Sequence, residues 1–455
     1  MNDNKSKNKT MLTDLYQITM MAAYLDNNKE DDVATFDLFI RKLPKDWGFF
    51  IANGIEDAVD YATNIKFEND DLQYLEEQNL FKNEFLKALK DFKFNGDIYG
   101  VREGTPVMPN TPILRVTAKR SEAQFVETTF LNSINFQTMI ATKANRVVNA
   151  AAPAKVTDFG LRRAQEEDAG MLGARAAYIG GAVGTSNVKG GKEFKIPITG
   201  THAHSFVMSF KTELDAFRAY VKTFPNNSTL LIDTYDTIQG AKNAAIVAKE
   251  LELKGKKLGA VRLDSGDLCD LSKKVRQIFD EQNLQYVRIV ASNDLNEYKI
   301  AELKQNGARI NAYGVGTEMI TAKPVAAIPG VYKLVEDDDG AKIKLADGKK
   351  TFPGKKQIFR IEENGKYVKD VLALENENVN GKPLLELIVK NGKRVTKRRE
   401  LKEIREYALA EVAKIPDELK QVVVEKPYLV ETAAGLDNLV GVTTNKFAQQ
   451  YFGNR

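Results

Sequence analysis

The alternation of apolar and polar residues changes along the chain, and its most regular part runs from about Lys155 to Met319. There, short apolar runs alternate with helical segments at intervals of roughly 20 to 35 residues. The runs are KVTDFG, AAYIGGAV, ITGTHAHSF, STLLIDT, LGAVRLDS, VRIVASND and INAYGVGT. Strands that alternate with helices predict parallel pairing through crossover helices, in a barrel or an open sheet. We expect an irregular, TIM-like α/β barrel over residues 151–325.

The residues before this region carry a different pattern. The segment TDLYQITMMAAY opens with Thr13, a candidate helix N-cap, and continues with apolar residues at helical spacing. The segment ATFDLFIRKLP reads as a strand, and GDIYGVREGTPVMPNTPILRV contains short β-rich runs interrupted by Gly and Pro. These features predict a β-rich, partly helical N-terminal domain over residues 1–150.

After Lys323 and Pro324 the regular pattern fades. Apolar runs separated by polar turns such as EDDDGAK predict short strands, and a helix is predicted from Leu401 to Ala413. We expect residues 326–455 to return in part to the β-rich domain and to form a small C-terminal module.

The composition is that of a soluble globular protein, with 43% hydrophobic and 28% charged residues. No apolar run approaches the roughly 20 residues that span a bilayer, and the polar N-terminus MNDNKSKNKT lacks a signal-peptide pattern. Cys269 is the only cysteine, which excludes an internal disulfide and fits a reducing compartment. We therefore expect a cytoplasmic protein of two or more domains, with no membrane partner.

A basic cluster lies before the C-terminal helix, although the net charge of the chain is only +4. Its residues are Lys393, Arg394, Lys397, Arg398 and Arg399. Such a cluster is typical of a solvated face or of a nucleic-acid-binding patch. Because it precedes an amphipathic helix, we favour the solvated face and expect no nucleic-acid partner.

Polar or glycine-containing sequence ends nearly every apolar run of the barrel region. The residues at these ends are Asp158, Thr201, Asp233, Asp264, Asn293 and Gly316. In an α/β barrel, functional groups gather at the carboxyl ends of the strands. One such end would mean little, but six of them indicate a shared site.

The segment AYGVGTEM is a candidate phosphate site. Gly314 and Gly316 end a predicted strand, where glycine leaves backbone N–H groups free to surround a phosphate. The loops after the last two barrel strands are the usual phosphate site of such barrels, and VASNDL would form the other loop. The alternative is that the glycines only form a turn.

Charged residues at the strand ends indicate an anionic substrate. In VRLDSGDL, Arg262 and Asp264 alternate on a predicted strand and point to the same face. The arginine suits an anion, and the carboxylate suits ribose hydroxyls or a Mg²⁺ that carries pyrophosphate. DTYDT adds two more carboxylates, those of Asp233 and Asp236, and Arg162 and Arg163 add positive charge. The set fits a polyphosphorylated sugar, and a structural ion pair between Arg262 and Asp264 is the alternative.

The chain has two histidines, His202 and His204, both in GTHAHSF. Two residues apart on a predicted strand, they would face the same way. An H-x-H metal site is one interpretation, although such sites normally recruit further histidines and the chain has none. Buried core histidines are another. A nucleophilic or general-base histidine fits the inventory best.

Together these segments resemble the nicotinate phosphoribosyltransferase family. The matching motifs, in family order, are TDLYQITM, FFIANGIEDAV, EGTPV, FGLRRAQ, GTSNV, GTHAHSFVMSF, LIDTYDT, VRLDSGDL and GVGTEM. The resemblance implies a homodimer in which the partner helps to build each active site. It also implies transfer of a phosphoribosyl group from phosphoribosyl pyrophosphate (PRPP) to nicotinate in NAD biosynthesis, with Mg²⁺ as cofactor and ATP as co-substrate.

The resemblance also implies roles for individual residues. It implies that ATP phosphorylates His204, that Tyr16 stacks on the nicotinate ring, that Thr201 and Arg262 lie near nicotinate, and that Thr317 holds the ribose phosphate.

Further roles follow from the same resemblance. Arg163 would supply substrate-binding charge, and Asp264 would act on the ribose or bind Mg²⁺. His202 stands where relatives carry other residues, so we assign it no chemistry.

Three other functions are compatible with parts of the sequence. A nicotinamide phosphoribosyltransferase is the nearest, but those relatives carry Asp where this chain has Ser186, and a carboxylate there would repel nicotinate. A barrel metallohydrolase would use His202 and His204 as metal ligands. A non-enzymatic nucleic-acid binder would depend on the basic cluster alone.

Overall fold

The structure is a computed structural model that describes residues 8–226, 228–346 and 351–453. The polar N-terminal segment that carries no signal-peptide pattern lies largely outside these ranges.

The α-helices occupy both ends and the middle of the described chain. They are α1 (Leu15–Asp26), α2 (Ile55–Thr63), α3 (Asn69–Glu77), α4 (Asn83–Lys90), α5 (Arg120–Phe125), α6 (Glu127–Ala151), α7 (Glu166–Ile179), α8 (Val188–Phe194), α9 (His204–Met208), α10 (Glu213–Thr223), α11 (Thr237–Glu252), α12 (Leu268–Glu281), α13 (Glu297–Gln305), α14 (Thr317–Ile320), α15 (Leu401–Lys414) and α16 (Ala434–Phe452). Two 3₁₀ helices are η1 (Leu161–Arg163) and η2 (Asp417–Lys420).

The β-strands fall into an early group, a middle group and a late group. They are β1 (Val33–Ile40), β2 (Phe50–Ile51), β3 (Asp97–Val101), β4 (Pro106–Val107), β5 (Leu114–Lys119), β6 (Lys155–Asp158), β7 (Thr229–Leu231), β8 (Ala260–Leu263), β9 (Arg288–Ala291), β10 (Ala312–Val315), β11 (Gly330–Asp337), β12 (Gly340–Ala341), β13 (Lys356–Glu363), β14 (Lys366–Leu374), β15 (Lys382–Pro383), β16 (Leu385–Lys390), β17 (Lys393–Arg394) and β18 (Val430–Thr432).

The first of two compact units consists of the described residues within Met1–Met139, Ala327–Leu419 and Val424–Arg455. Its main sheet has seven strands in the order β12-β11-β1-β5-β3-β16-β17, and these pairs are antiparallel. Strands from residues 330–394 therefore pair directly with strands from residues 33–119. Two smaller sheets, β15-β13-β14-β18 and β2-β4, belong to the same unit.

The second unit consists of Ile140–Ala326 with Lys420–Val423. Its sheet has five strands in the order β6-β10-β9-β8-β7, all parallel. The strands are short and carry buried apolar residues at alternate positions, such as Val261 and Leu263 of β8. Their core includes Val156, Leu230, Val261, Ile289 and Val315, each at most 1% exposed.

The predicted α/β class is confirmed, but closure into a TIM-like barrel is not. Within residues 8–226, 228–346 and 351–453, the strand pairs run from β6 at one edge to β7 at the other without a bond between these two strands. Beyond β6 the described residues continue the sheet only through single bridges, from Asp158 to Thr185 and from Thr185 to Ile198. The described pairing is that of an open parallel sheet with a short extension.

Most of the predicted strands are confirmed, and two are wrong. The confirmed ones include β1, β3 to β5, and the five strands of the parallel sheet. AAYIGGAV instead forms the end of α7 and the turn after it, because a run of small apolar residues packs as well in a buried helix as in a strand. ITGTHAHSF is irregular up to Ala203 and then enters α9.

The predicted first helix and C-terminal helix are confirmed, and their ends lie close to the predicted ones. The predicted C-terminal helix is α15, and the N-cap position of the first helix is occupied by Asp14 rather than by Thr13, without a side-chain capping hydrogen bond. No helix in the described part of the chain has both the length and the apolar character needed to cross a membrane.

Candidate active site

Polar residues meet at the carboxyl edge of the parallel sheet. Asp158 is the last residue of β6, Asp264 follows β8, and Gly316 follows β10. Asp233 and Asn293 stand two residues after β7 and β9. Five of the six predicted strand-end residues therefore lie at this edge. Thr201 is the exception, because in the described part of the chain no strand ends directly before it.

The Asp233 side chain joins two strand ends. Its Oδ2 accepts hydrogen bonds from the backbone N–H of Asp264 at 2.8 Å and from the hydroxyl of Ser265 at 2.6 Å. Its Oδ1 is buried and accepts no hydrogen bond from the described residues. A buried carboxylate oxygen in this state can bind a cation or a hydroxyl donor from a ligand.

Asp264 is held from the next strand. The Ser292 hydroxyl, directly after β9, donates a hydrogen bond to Oδ1 of Asp264. The bonds of Asp233 and Ser292 thus fix Asp264 between β7 and β9. Sequence reasoning found both aspartates but missed Ser265 and Ser292, because serines after a strand are common in ordinary turns.

Arg262 in β8 contacts the segment before α9. Its Nη1 donates a hydrogen bond to Thr201 Oγ1 at 2.5 Å. Burial lowers the pKa of Arg262, and the carboxylates of Asp264 and Asp233 oppose that change. Its Nε is buried and has no acceptor among the described residues. Arginine stays protonated in proteins, so this N–H remains a donor for an anion.

His204 is the first residue of α9 and lies beside Asp264. Its Nδ1 is 3.1 Å from Thr234 Oγ1, and its Nε2 is 3.8 Å from Asp264 Oδ2. The histidine side chain is 39% exposed, so a ligand from solvent can reach the ring. Thr234 was missed in the sequence because DTYDT drew attention only to its carboxylates.

The prediction that His202 and His204 face the same way is wrong, because they do not lie on a strand. His202 is 7% exposed, and its Nε2 accepts the backbone N–H of Leu231 at 3.2 Å. Its ring packs against Phe206 and Tyr220, at centroid distances of 5.3 and 4.7 Å. Burial lowers the pKa of His202 to about 4. His202 is therefore a neutral structural histidine at pH 7.

This divergence weighs against the H-x-H metal site. The Nε2 lone pair of His202 is already used by a backbone donor, so it is not available to a metal shared with His204. Across residues 8–226, 228–346 and 351–453, no group of three or more His, Cys, Asp or Glu side chains could hold a metal ion by itself.

Asp158 ties Ser186 to the segment that carries Arg162 and Arg163. Its Oδ1 accepts the Gly160 N–H at 2.8 Å, and its Oδ2 accepts the Thr185 hydroxyl at 2.7 Å. Its backbone carbonyl accepts the Ser186 N–H at 2.8 Å. Burial raises the pKa of Asp158. Both arginines lie in η1 and are exposed.

The two glycines of AYGVGTEM have different surroundings. Gly314 pairs in parallel with Thr157 inside the sheet, and a Cβ on it would lie 2.3 Å from the Phe159 ring. Packing against Phe159 therefore explains Gly314 without a phosphate. Gly316 stands at the sheet edge before Thr317, the first residue of α14. In the neighbouring loop, Asn293 and Asp294 both have positive φ, at 93° and 43°.

Tyr16 belongs to the first unit. It lies on α1 and is 46% exposed. Partial burial, together with the nearby Glu127 carboxylate, raises the pKa of Tyr16.

Three of the five residues of the basic cluster form ion pairs within the first unit. Arg394 contacts Glu56 at 2.5 Å, Arg398 contacts Asp60, and Arg399 contacts Glu386 at 2.8 Å. These contacts account for much of the cluster without a nucleic acid.

Comparison with known proteins gives consistent matches along the chain. Family models match residues 11–135 (nicotinate phosphoribosyltransferase N-terminal domain), 154–327 (nicotinate phosphoribosyltransferase family) and 377–440 (nicotinate phosphoribosyltransferase C-terminal domain). The chain is 40% identical to nicotinate phosphoribosyltransferase pncB2 of Mycobacterium tuberculosis, over 90% of this chain and 89% of that protein. It is 42% identical to the nicotinate phosphoribosyltransferase of Bacillus subtilis, over 84% and 80%.

A solved structure gives the same result for the fold. The crystal structure of human nicotinic acid phosphoribosyltransferase superposes with a TM-score of 0.84 at 28% identity, and the match covers 94% of this chain and 99% of that one.

The lowered pKa of His202 predicts a pH dependence of stability. Because the ordinary pKa is 6.5 and the folded value is about 4, the unfolded chain binds the proton more readily. The stabilisation is complete above about pH 6.5 and is lost as the pH falls towards about 4. Between pH 7 and pH 5, the free energy of unfolding measured with urea should fall more in the unmodified protein than in His202→Asn. Equal losses would contradict the buried neutral state.

Proposed function

The chain belongs to the nicotinate phosphoribosyltransferase family and is an enzyme of that type, and from this premise we propose that it joins nicotinate to the phosphoribosyl group of PRPP with ATP hydrolysis as the driver. The products are nicotinate mononucleotide, pyrophosphate, ADP and phosphate, as in the Preiss-Handler route to NAD. One observation carries the proposal: Arg262, Thr201, His204 and two aspartates converge at one sheet edge.

Nicotinate carries a carboxylate, and Arg262 is a half-buried cation at the site. Its Nε–H donor lacks an acceptor among the described residues, and its Nη1 is already oriented by Thr201. A charge-assisted hydrogen bond to the nicotinate carboxylate would use this donor. We assign Ser186 the role of a neutral side chain beside the nicotinate carboxylate, Arg163 adds exposed positive charge, and we assign ring stacking to Tyr16.

PRPP brings a sugar, a 5-phosphate and a pyrophosphate leaving group. Asp233 and Asp264 have the hard oxygen donors that Mg²⁺ prefers, and the buried Oδ1 of Asp233 is available for such a contact. Mg²⁺ is usually held by one or two carboxylates together with substrate phosphates, so these residues fit it. When bound, Mg²⁺ neutralises negative charge that develops on the pyrophosphate. Gly316 and Thr317 would hold the 5-phosphate through backbone and hydroxyl groups.

The transfer itself breaks the bond between the anomeric carbon and the pyrophosphate oxygen, and the nicotinate ring nitrogen forms the new bond. The ribose gains oxocarbenium character on the way. The nearby aspartates stabilise that positive charge, and the basic residues stabilise the leaving group. None of these steps requires a histidine nucleophile.

We assign the ATP-dependent step to His204. An imidazole nitrogen attacks the γ-phosphorus, the bond to the β–γ bridging oxygen breaks, and ADP leaves. Thr234 orients the ring from one side and Asp264 lies at the other. The phosphohistidine would favour a state of the site that binds PRPP tightly, and hydrolysis of the N–P bond by water would return the site to its starting state. We also propose a cytoplasmic homodimer whose subunits share active sites.

Ring specificity is tested at Ser186. In Ser186→Asp, the kcat/KM for nicotinate should fall by at least roughly tenfold relative to Ser186→Ala, because a new carboxylate repels that of nicotinate in a confined site. The Ala variant controls for loss of the hydroxyl alone. Steady-state kinetics with nicotinate and with nicotinamide measure kcat/KM for each base in both variants. Equal kcat/KM for nicotinate in the two variants would remove Ser186 from the specificity account.

The assignment of His204 is tested by a matched pair of histidine variants. His204→Asn should abolish ATP hydrolysis and the acid-labile phosphoenzyme, yet leave slow, ATP-independent transfer from PRPP. His202→Asn should retain the phosphoenzyme, since His202 is buried and already hydrogen-bonded. Labelling with γ-³²P-ATP and mapping of the modified peptide measure both. Label on His202, or its loss in both variants alike, would refute the assignment.

A further inference from the structure

The loop after β9 adopts a backbone conformation that needs support. Asn293 and Asp294 are consecutive non-glycine residues with φ of 93° and 43°. Residues in such conformations persist when the surrounding structure over-determines them, and they often lie at ligand sites. The loop leads directly into α13, whose first residues are Asn296 as N-cap and Glu297.

Asn296 connects this loop to the one after β10. Its Oδ1 accepts the Lys299 N–H at 2.9 Å and so caps α13. Its Nδ2 donates to Glu318 Oε2 at 3.3 Å. Glu318 is 8% exposed and directly follows Thr317. One side chain therefore caps a helix and contacts the neighbouring strand-end loop.

Glu297 connects the same helix end to α6. Its Oε2 accepts a hydrogen bond from Lys143 Nζ at 2.5 Å, and its Oε1 accepts one from Arg146 Nε at 3.1 Å. The side chains of Lys143 and Glu297 are each 1% exposed. Buried ion pairs are weak contributors to stability compared with apolar residues of similar size, so a role in fixing one arrangement is the better explanation.

We propose that Asn296, Glu297, Glu318 and Lys143 form a clamp that holds the loops after β9 and β10 in the arrangement that binds the phosphate of PRPP. They are positioning residues, because they act through the backbone of Asn293–Asp294 and of Gly316–Thr317. The inference rests on the proposed function for the identity of the ligand. The clamp itself rests on the contacts alone.

The test uses a reversal of the hydrogen bond at Asn296. Lys143 is unsuitable, because its removal would leave the buried carboxylate of Glu297 with Arg146 in place of two cations, which would destabilise the whole chain. Asn296→Asp keeps a good helix cap but places two carboxylates against each other. Glu318→Gln in the same chain supplies an amide donor and restores the bond with its direction reversed. Loss of the Glu318 contact with Lys323 costs little, since the lysine side chain is 66% exposed.

The single variant Asn296→Asp should raise the KM for PRPP by about tenfold, the factor for loss of one hydrogen bond to a charged group. The kcat and the KM for nicotinate should stay within about twofold of the unmodified protein, and the double variant should recover most of the KM. Thr212→Ser, a cap-for-cap change at α10, is the matched control and should change nothing.

Hydrogen exchange supplies a readout that does not depend on activity. Amides of residues 316–318 should exchange faster in Asn296→Asp and return to the native rate in the double variant. An unchanged KM for PRPP with unchanged exchange, or no recovery in a folded double variant, would overturn the clamp. If the unmodified protein fails to transfer phosphoribosyl to nicotinate while the exchange pattern holds, the proposed function fails and the clamp stands.

Discussion

Five short strands, β6 to β10, pair in parallel, and this pairing sets where most of the polar groups of the site lie. Parallel strands need crossover connections, so their carboxyl ends share one edge of the sheet. At that edge the backbone no longer pairs with neighbouring strands, so backbone and side-chain groups are available to bind a ligand. Asp233, Asp264 and Ser292 follow three neighbouring strands and bond to one another across the strand ends.

The two histidines show how position within this frame decides chemistry. His202 packs in an aromatic cluster, and its Nε2 accepts a hydrogen bond from a backbone N–H. Burial lowers the pKa of the ring, which therefore stays neutral. His204, at the start of α9, contacts Thr234 and Asp264 and remains reachable from solvent. The same residue type two positions away thus serves packing in one case and is open to solvent in the other.

Much of this could be predicted from the sequence, because short apolar runs followed by polar residues mark parallel strands and their ends. The prediction failed where apolar character did not separate helix from strand, as in AAYIGGAV, where small residues pack inside α7. It also failed at GTHAHSF, since two side chains that are two residues apart share a face only on a strand. Long-range contacts such as Asn296 with Glu318 leave no local pattern. Gly314 was predicted to bind phosphate, although close packing against the Phe159 ring explains why glycine stands at this position.

The central claim is that this sheet edge binds nicotinate and PRPP and couples their joining to ATP. The most direct measurement offers the purified protein PRPP and Mg²⁺ with nicotinate, nicotinamide or quinolinate, each with and without ATP, and follows mononucleotide and ADP together. The account predicts nicotinate mononucleotide as the main product, formed faster with ATP and accompanied by ADP. Preference for another base, or nicotinate turnover that is indifferent to ATP, would contradict it.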